Sequence, residues 1–204
     1  MSRSVIAISG WRGSGKDTAA DFLVGEFGYQ KLSFAAPLKD LVAETYGIPR
    51  AALDDTAAKE APLPQYPVIP SDPFTASVQE RLASELRSGY WTPRALCILE
   101  GSMKRSVHAN YWVRRVAEII INVPTMNFVI SDLRYTSEAD TLKLLIPGIK
   151  LLRLDRFDSI DTVEASERDL DSYRFDYRIT NRKSIEELYN QLCNIPEIAL
   201  DDLQ

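Results

Sequence analysis

The sequence predicts an α/β fold in which a mostly parallel central sheet is covered by helices on both faces. A glycine-rich loop at 10–18 lies between the apolar run Val5–Ile8 and a stretch with apolar residues at helical spacing. Further along the chain, strand-like apolar runs continue to alternate with helical patterns. Such alternation is typical of parallel sheets, because the connection between parallel strands is usually a helix that packs on the sheet. With 204 residues, the chain is most simply one domain, 1–204.

The first half of the chain begins with strand, helix and strand patterns at 5–9, 16–27 and 29–34. A second helix is predicted at 37–46, with Pro37 in its first turn and Gly47 after its end. Six of the eleven prolines then fall between Ile48 and Pro73, and 62–73 fits neither a regular helix nor a central strand. This proline-rich segment is either a rigid excursion over the functional site or a plain extended loop.

The second half continues the alternation of helices and strands. Thr92 and Pro93 mark the start of one helix, with Thr92 as its cap, and Ser137 is predicted to cap another. The segment 156–175 is strongly charged and lacks strand periodicity. Besides the helix that starts at Pro93, helices are predicted at 76–87, 111–121, 137–145 and 184–193, and strands at 127–131, 149–154 and 177–180.

The composition excludes several classes of function. A net charge of −5 and a pI near 5.0 argue against a protein that coats polymeric nucleic acid. Cys97 and Cys193 lack metal-site spacing and are expected to be buried free thiols, and His108 is expected in a loop or at the surface. The N-terminal apolar run is too short for a signal peptide and no run is long enough to span a bilayer, so a cytoplasmic protein without membrane contact is expected.

The loop Gly-Trp-Arg-Gly-Ser-Gly-Lys-Asp-Thr at 10–18 predicts a nucleotide site. Between a strand and a helix, the backbone N–H groups of such a loop surround a polyphosphate, and the helix dipole adds to the attraction. Lys16 is expected to reach the β- and γ-phosphates. Asp17 stands where a Ser or Thr usually follows the lysine, and it is either a metal- or substrate-positioning acid or a helix N-terminal acid. The predicted nucleotide-binding residues of the loop are Arg12, Gly13, Ser14, Gly15, Lys16, Asp17 and Thr18.

A second candidate element is the run Asn-Phe-Val-Ile-Ser-Asp-Leu-Arg at 127–134. An apolar strand that ends in an acid has the form of a Walker B element, whose aspartate holds Mg²⁺ directly or through water. Asp132 is that acid. Arg134 follows two residues later and is expected to project from the same strand end toward a substrate crevice.

Five arginines lie near predicted strand ends and helix starts. Phosphoryl transfer spreads charge over the oxygens of the moving group, so its catalysis consists mostly of positioning and charge stabilisation. Guanidinium groups suit this task because they remain charged and bind phosphate with two parallel hydrogen bonds. A solvated surface position remains the alternative for each, and the pattern leaves Arg153 and Arg156 open. The five are Arg94, Arg105, Arg134, Arg153 and Arg156.

Several sequence pieces occur together in register from about residue 4 to residue 193: GSGKDTAADFL, LSFAAPLKD, WTPR, ANYWV, SDLRYTSEAD and SERDLDSYRFDYRITN. Together they resemble the deoxynucleoside monophosphate kinases of tailed bacteriophages, which are P-loop enzymes of the nucleoside monophosphate kinase group. The resemblance implies a P-loop kinase three-layer sandwich with an acceptor-side insertion at 48–92 and a lid at 156–176. It also implies transfer of the γ-phosphoryl group of ATP to a dNMP with Mg²⁺, a homodimer, and the host cytoplasm if a phage encodes the chain.

The resemblance implies roles for single residues, where the motifs of this sequence match those of the family. It places Lys16 and Thr18 on the triphosphate and its metal, and Asp17 and Asp132 in the catalytic centre. Ser166, Glu167, Asp171 and Asp176 fall in the lid. Around the acceptor it places Arg94, Trp112 and Arg134, to which we add Lys39 and Arg105, and on the ATP side we add Arg153 and Arg156.

The sequence departs from the family's motifs at two places, and two of the implied residue roles have alternatives. The family's acid before the middle arginine is absent from Gly-Ser-Met-Lys-Arg at 101–105, and a histidine is absent before Ser166. Trp112 is alternatively a core aromatic, and Lys39 a solvated lysine. The base of the acceptor does not carry over.

Two rival functions remain from the sequence. A P-loop kinase acting on a hydroxyl needs a carboxylate base near the acceptor proton, which Asp17 or Asp132 would supply. The arginine set favours an acceptor that is already anionic. A nucleotide-dependent switch without turnover requires neither the arginines nor a lid.

Overall fold

The computed structural model describes residues 3–69, 73–82, 86, 89–156 and 168–199. The chain divides into two compact units, one formed by Met1–Phe34 with Val113–Gln204 and the other by Ala35–Trp112. The second unit starts before and ends after the predicted insertion at 48–92. The unit is larger than the predicted insertion because the helices before and after 48–92 share a core, in which Val42 packs with Leu96 and Leu99.

The first unit contains a five-stranded sheet with strands β1 (Val5–Ser9), β2 (Gln30–Leu32), β3 (Phe128–Leu133), β4 (Lys150–Asp155) and β5 (Tyr177–Thr180). Their order is β2-β3-β1-β4-β5, and every pairing is parallel. All five residues of β1 are buried. Since successive side chains of a strand point to opposite faces, both faces of the sheet are covered at β1. The predicted α/β fold with a parallel sheet is confirmed.

The helices follow the sequence pattern closely. Thr92 caps its helix as predicted, with Oγ1 accepting from Ala95 N at 3.1 Å and Pro93 in first position. The predicted cap at Ser137 is wrong, because the helix starts one residue earlier and the Glu138 carboxylate accepts from the N–H groups before it. Among the described residues, the α-helices in chain order are α1 (Lys16–Phe27), α2 (Ala35–Tyr46), α3 (Pro73–Arg81), α4 (Pro93–Val107), α5 (Tyr111–Asn122), α6 (Thr136–Leu145), α7 (Ile185–Cys193) and α8 (Pro196–Ala199), and short 3-10 helices lie at Arg50–Leu53 and Ala58–Glu60.

The described part of the proline-rich segment pairs with the chain just before α4. Leu63 N donates to Trp91 O at 2.8 Å, Trp91 N donates to Tyr66 O at 3.0 Å, and Val68 N donates to Gly89 O at 2.9 Å. The Tyr66 hydroxyl also donates to Tyr46 O at 2.7 Å. The segment is therefore held on the second unit by backbone hydrogen bonds, although 70–72 lie outside the described residues.

The remaining expectations concern single features. α3 ends at Arg81, and of the predicted helix at 76–87, residues 83–85 and 87 lie outside the described part. Cys97 and Cys193 are free and half-buried, and His108 is exposed at the end of α4. Within the described ranges, no helix is both long and apolar enough to cross a membrane.

Candidate active site

The glycine-rich loop connects the buried strand β1 to the start of α1. Gly13 and Gly15 adopt positive φ angles of 78° and 97°, a conformation that side chains other than glycine rarely take. Ser14 N donates to Trp11 O at 3.0 Å and closes the turn. The loop therefore has the strand, turn and helix N-terminus that a phosphate-binding loop requires.

Lys16 lies across this loop. Its Nζ donates to Gly10 O at 2.6 Å and to Trp11 O at 2.9 Å. These carbonyls are neutral acceptors, whereas a phosphate oxygen is charged and forms hydrogen bonds roughly twice as strong. The ammonium group is thus held at the loop, where a polyphosphate is the stronger partner.

Asp17 faces the neighbouring strand. Its carboxylate is exposed and lies 3.0 Å from Lys31 Nζ, which also contacts Asp21 at 2.9 Å. These two carboxylates raise the pKa of Lys31 against the opposing effect of its partial burial. Thr18, one residue further along α1, is half-buried.

Asp132 lies inside β3 rather than after its end, because β3 extends to Leu133. Both of its carboxylate oxygens lie 3.0 Å from Phe34 N, just after β2. Arg134 has an exposed side chain, and its backbone N–H donates to Glu138 Oε2 at 2.9 Å. Burial, together with the nearby charge of Asp132, raises the pKa of Glu138 from its ordinary 4.5 to about 7, although two backbone N–H bonds act in the opposite direction.

The donors that the sequence offers for a metal are oxygen atoms. Mg²⁺ prefers oxygen ligands, retains several waters and is usually held by one or two carboxylates together with substrate phosphates. The Thr18 hydroxyl and the Asp132 carboxylate fit that chemistry. The described residues contain no group of three His, Cys, Asp or Glu side chains that would hold a metal without phosphate oxygens.

Arg153 is 3% exposed on β4 and forms ion pairs with two partly exposed carboxylates, a group called here the Arg153 cluster. Its guanidinium donates to Ser9 Oγ at 3.1 Å, to Asp155 Oδ1 at 3.3 Å and to Asp171 Oδ1. Trp11 Nε1, from the phosphate loop, donates to the same Asp171 oxygen at 3.0 Å. Arg153 therefore connects the sheet to the loop through Asp171. The sequence predicted a direct contact of Arg153 with ATP and did not predict this connecting role.

Both described ends of the predicted lid at 156–176 contact the phosphate loop. Arg156 donates from Nη1 to Gly13 O at 3.1 Å, and Asp171 accepts from Trp11. Residues 157–167, including Ser166 and Glu167, lie outside the described part. Asp176 accepts from Leu151 N at 2.8 Å and fixes the chain just before β5.

The second unit contains a cavity of about 310 Å³. Three residues predicted at the acceptor, Lys39, Arg94 and Arg105, line it, although 66 positions separate the first from the last. Lys59 adds a fourth cation that the sequence analysis missed. The apolar part of the wall comes from Leu38, Leu53, Pro93, Cys97 and Ile98.

Among the described residues that line this cavity, one has an acidic side chain, Asp54. It pairs with Lys39 Nζ at 2.7 Å and with Arg50. The hydrogen bond from Lys39 lowers the pKa of Asp54, although its slight burial acts in the opposite direction. A carboxylate with a lowered pKa and two cationic partners is a weak proton acceptor. Arg94 is paired in turn with Glu60.

Trp112 is buried in the second unit and does not line the cavity as the described residues define it. Its Nε1 lies 3.5 Å from Gly101 O, and its ring packs edge-on against Tyr111. A Cβ at Gly101 would lie 3.3 Å from the guanidinium of Arg105, so the missing side chain lets this guanidinium fold back along α4 to Gly101. This geometry favours the core-packing alternative for Trp112 over base stacking.

No family profile matches the chain. The chain is similar to a protein of Acanthamoeba polyphaga mimivirus named "Putative deoxynucleotide monophosphate kinase", with 29% identity over 199 residues, 96% of this chain and 97% of the relative. Together with the loop geometry, this similarity supports a P-loop kinase.

Among solved structures, similar folds include TT1252 from Thermus thermophilus and a sugar kinase from Janibacter sp. HTCC2649. The first has a TM-score of 0.49 at 17% identity and covers all of both chains. The second has a TM-score of 0.47 at 16% identity and covers 97% of this chain and 96% of the other.

Proposed function

We propose that the protein is a deoxynucleoside monophosphate kinase that transfers the γ-phosphoryl group of ATP to a dNMP, giving dNDP and ADP. The observation that carries this proposal is the cavity of the second unit, in which four cations meet an apolar wall and the lining acid is neutralised. A monophosphate and a base would use the two parts of such a wall. The name of the mimivirus relative supports the same acceptor.

The donor side of the proposal rests on the first unit. The loop N–H groups and Lys16 hold the β- and γ-phosphates, and Thr18 and Asp132 are the residues that would hold Mg²⁺. The metal would supply positive charge that offsets the negative charge of the phosphates during transfer. Arg156, which contacts Gly13, is placed to complete the donor side of the loop.

The acceptor chemistry distinguishes this proposal from a hydroxyl kinase. A phosphate oxygen of a dNMP is already ionised and forms the new P–O bond without losing a proton, while the bond to the bridging oxygen of ADP breaks. A hydroxyl acceptor needs a base, and Asp54 is a poor one because Lys39 and Arg50 neutralise it. Asp17 and Asp132, the other candidate bases, are not among the described residues that line the cavity, so its lining of cations favours a phosphate acceptor.

The direct test measures ADP release from ATP with each of the four dNMPs and with each matching deoxynucleoside. We expect release with at least one dNMP and none above background with the deoxynucleosides. Equal release with a deoxynucleoside would identify a hydroxyl kinase, and ATP binding without any release would identify a switch.

Two variants test the cavity. Arg94→Ala and Arg105→Ala should each raise KM for the dNMP about tenfold to a hundredfold, the range for losing a hydrogen bond to a charged group. KM for ATP should stay the same. Arg115→Ala is the matched control, since Arg115 is an exposed arginine paired with Glu118 on α5. An equal rise in both KM values would contradict an acceptor role for the cavity.

A further inference from the structure

Asn181 lies directly after β5 and is absent from the predicted site, yet its side chain contacts the phosphate loop. It is a buried polar residue, and its Nδ2 donates to Ser14 O at 2.9 Å. Because a carbonyl oxygen only accepts hydrogen bonds, the amide nitrogen must be the atom that faces Ser14. The backbone N of Asn181 donates to Asp155 O at 2.8 Å, so the residue is fixed to the sheet.

The next residue of the loop is shaped around this side chain. A Cβ at Gly15 would lie 2.5 Å from Asn181 Nδ2 and 3.8 Å from Leu188 Cδ2. The first distance is shorter than any ordinary contact of a Cβ atom. Gly15 is thus required by its φ of 97° and, independently, by the space that Asn181 occupies.

The hydrogen bond to Ser14 O also fixes the direction of an N–H group. The Ser14 carbonyl and the Gly15 N–H belong to one peptide plane, which is trans, as no peptide of the described chain is cis. In a trans peptide the C=O and N–H bonds point in opposite directions. Since the carbonyl points at Asn181, the Gly15 N–H points away from it, at the N-terminus of α1, where it has no partner within the helix.

We propose that Asn181 is a positioning residue for the donor phosphates, acting through the Ser14–Gly15 peptide. This proposal rests on the nucleotide-binding part of the proposed function. A rotation of this peptide changes ψ of Ser14 and φ of Gly15, and Gly15 permits it because glycine accepts both signs of φ. Asn181 prevents a rotation that would turn the Ser14 carbonyl, instead of the Gly15 N–H, toward the phosphates.

The test compares Asn181→Ala and Asn181→Asp with wild type in binding ATP and inorganic tripolyphosphate, measured by calorimetry. Asn181→Ala should weaken both ligands to the same extent, about tenfold, while KM for the acceptor stays the same. Tripolyphosphate separates phosphate binding from recognition of the nucleoside.

Asn181→Asp keeps the shape that packs against Gly15 but places a carboxylate against the Ser14 carbonyl. Its affinity for tripolyphosphate, relative to wild type at the same pH, should be lowest at pH 8 and improve as the pH falls, because a protonated carboxyl can donate to Ser14 O. This pH dependence requires that the group at position 181 acts on the phosphate site, so the aspartate variant remains informative even if the alanine variant does not fold.

The matched control is Asn127→Ala. The Asn127 side chain also forms a hydrogen bond with the backbone, accepting from Ser4 N at 2.8 Å. It lies just before β3, at the amino ends of the parallel strands, whereas the phosphate loop follows the carboxyl end of β1. Its loss should leave both affinities unchanged. Wild-type affinity in Asn181→Ala, or a pH-independent Asn181→Asp, would overturn the proposal. If wild type binds ATP but uses no dNMP, the acceptor assignment fails and the binding comparison still decides the role of Asn181.

Discussion

Replacing Arg153 with methionine should destabilise the first unit, by an amount that depends on Asp171. Methionine fills most of the volume of the arginine side chain but donates no hydrogen bond. The guanidinium is 3% exposed and bonded to Ser9, Asp155 and Asp171, so its removal leaves two carboxylates without their shared cation.

The structure sets the size of the effect. Breaking a fully buried ion pair costs about 3–5 kcal/mol. Here the carboxylates of Asp155 and Asp171 are 27% and 37% exposed, and they keep Arg178 and Trp11 as partners. Because water and these partners offset part of the loss, we expect about 2–3 kcal/mol for Arg153→Met and a coupling energy of about 1–2 kcal/mol with Asp171→Asn.

The assay is urea unfolding of wild type, both single variants and the double variant, at low and at high salt. Part of the coupling should persist at high salt, because Arg153 is buried and a pair with one buried partner is screened less than an exposed pair. The exposed pair Arg115 and Glu118, treated by the same cycle, should give about 0–0.5 kcal/mol and lose it in salt. A coupling between Arg153 and Asp171 below about 0.5 kcal/mol would refute the Arg153 cluster as an energetic unit.

The other predictions concern residues closer to the chemistry. Lys16→Ala should reduce ADP release to background while circular dichroism and the urea midpoint stay unchanged, and retained turnover would remove the loop from the active site. Asp132→Asn keeps an oxygen for Phe34 N but loses the charge, so half-maximal turnover should need more Mg²⁺; loss of folded protein at an unchanged Mg²⁺ requirement would mark Asp132 as structural. The raised pKa of Glu138 means that its contribution to stability is full below its ordinary 4.5 and is lost as the pH rises through about 7. Glu138→Gln should therefore flatten the decline of the unfolding free energy between pH 5 and 8, on the order of 1–3 kcal/mol, and a slope equal to that of wild type would contradict this assignment.

The sequence by itself determined the features that depend on neighbouring residues. The strand, loop and helix around Lys16 were predictable because an apolar run, spaced glycines and a helical pattern follow one another directly. The cap at Thr92 was predictable for the same reason. At Ser137 the local signal failed, because the Glu138 carboxylate reaches back to the N–H groups in its place.

The tertiary structure alone decided which distant side chains meet. Lys39, Arg94 and Arg105 line one cavity because α2 and α4 share a core, and sequence spacing does not state which helix faces pack together. The resemblance placed Asp171 in a lid, whereas the fold puts its carboxylate between Trp11 and Arg153. Asn181 follows a strand without any motif of its own. β4 pairs with β5 on one side and with β1 on the other, and all three strands are parallel, so their carboxyl ends lie together. Asn181 at the end of β5 therefore reaches Ser14 in the loop that follows β1. The contact of Asn181 depends on the register of β1 and β4, which lie more than a hundred residues apart in the chain, and no local pattern encodes that register.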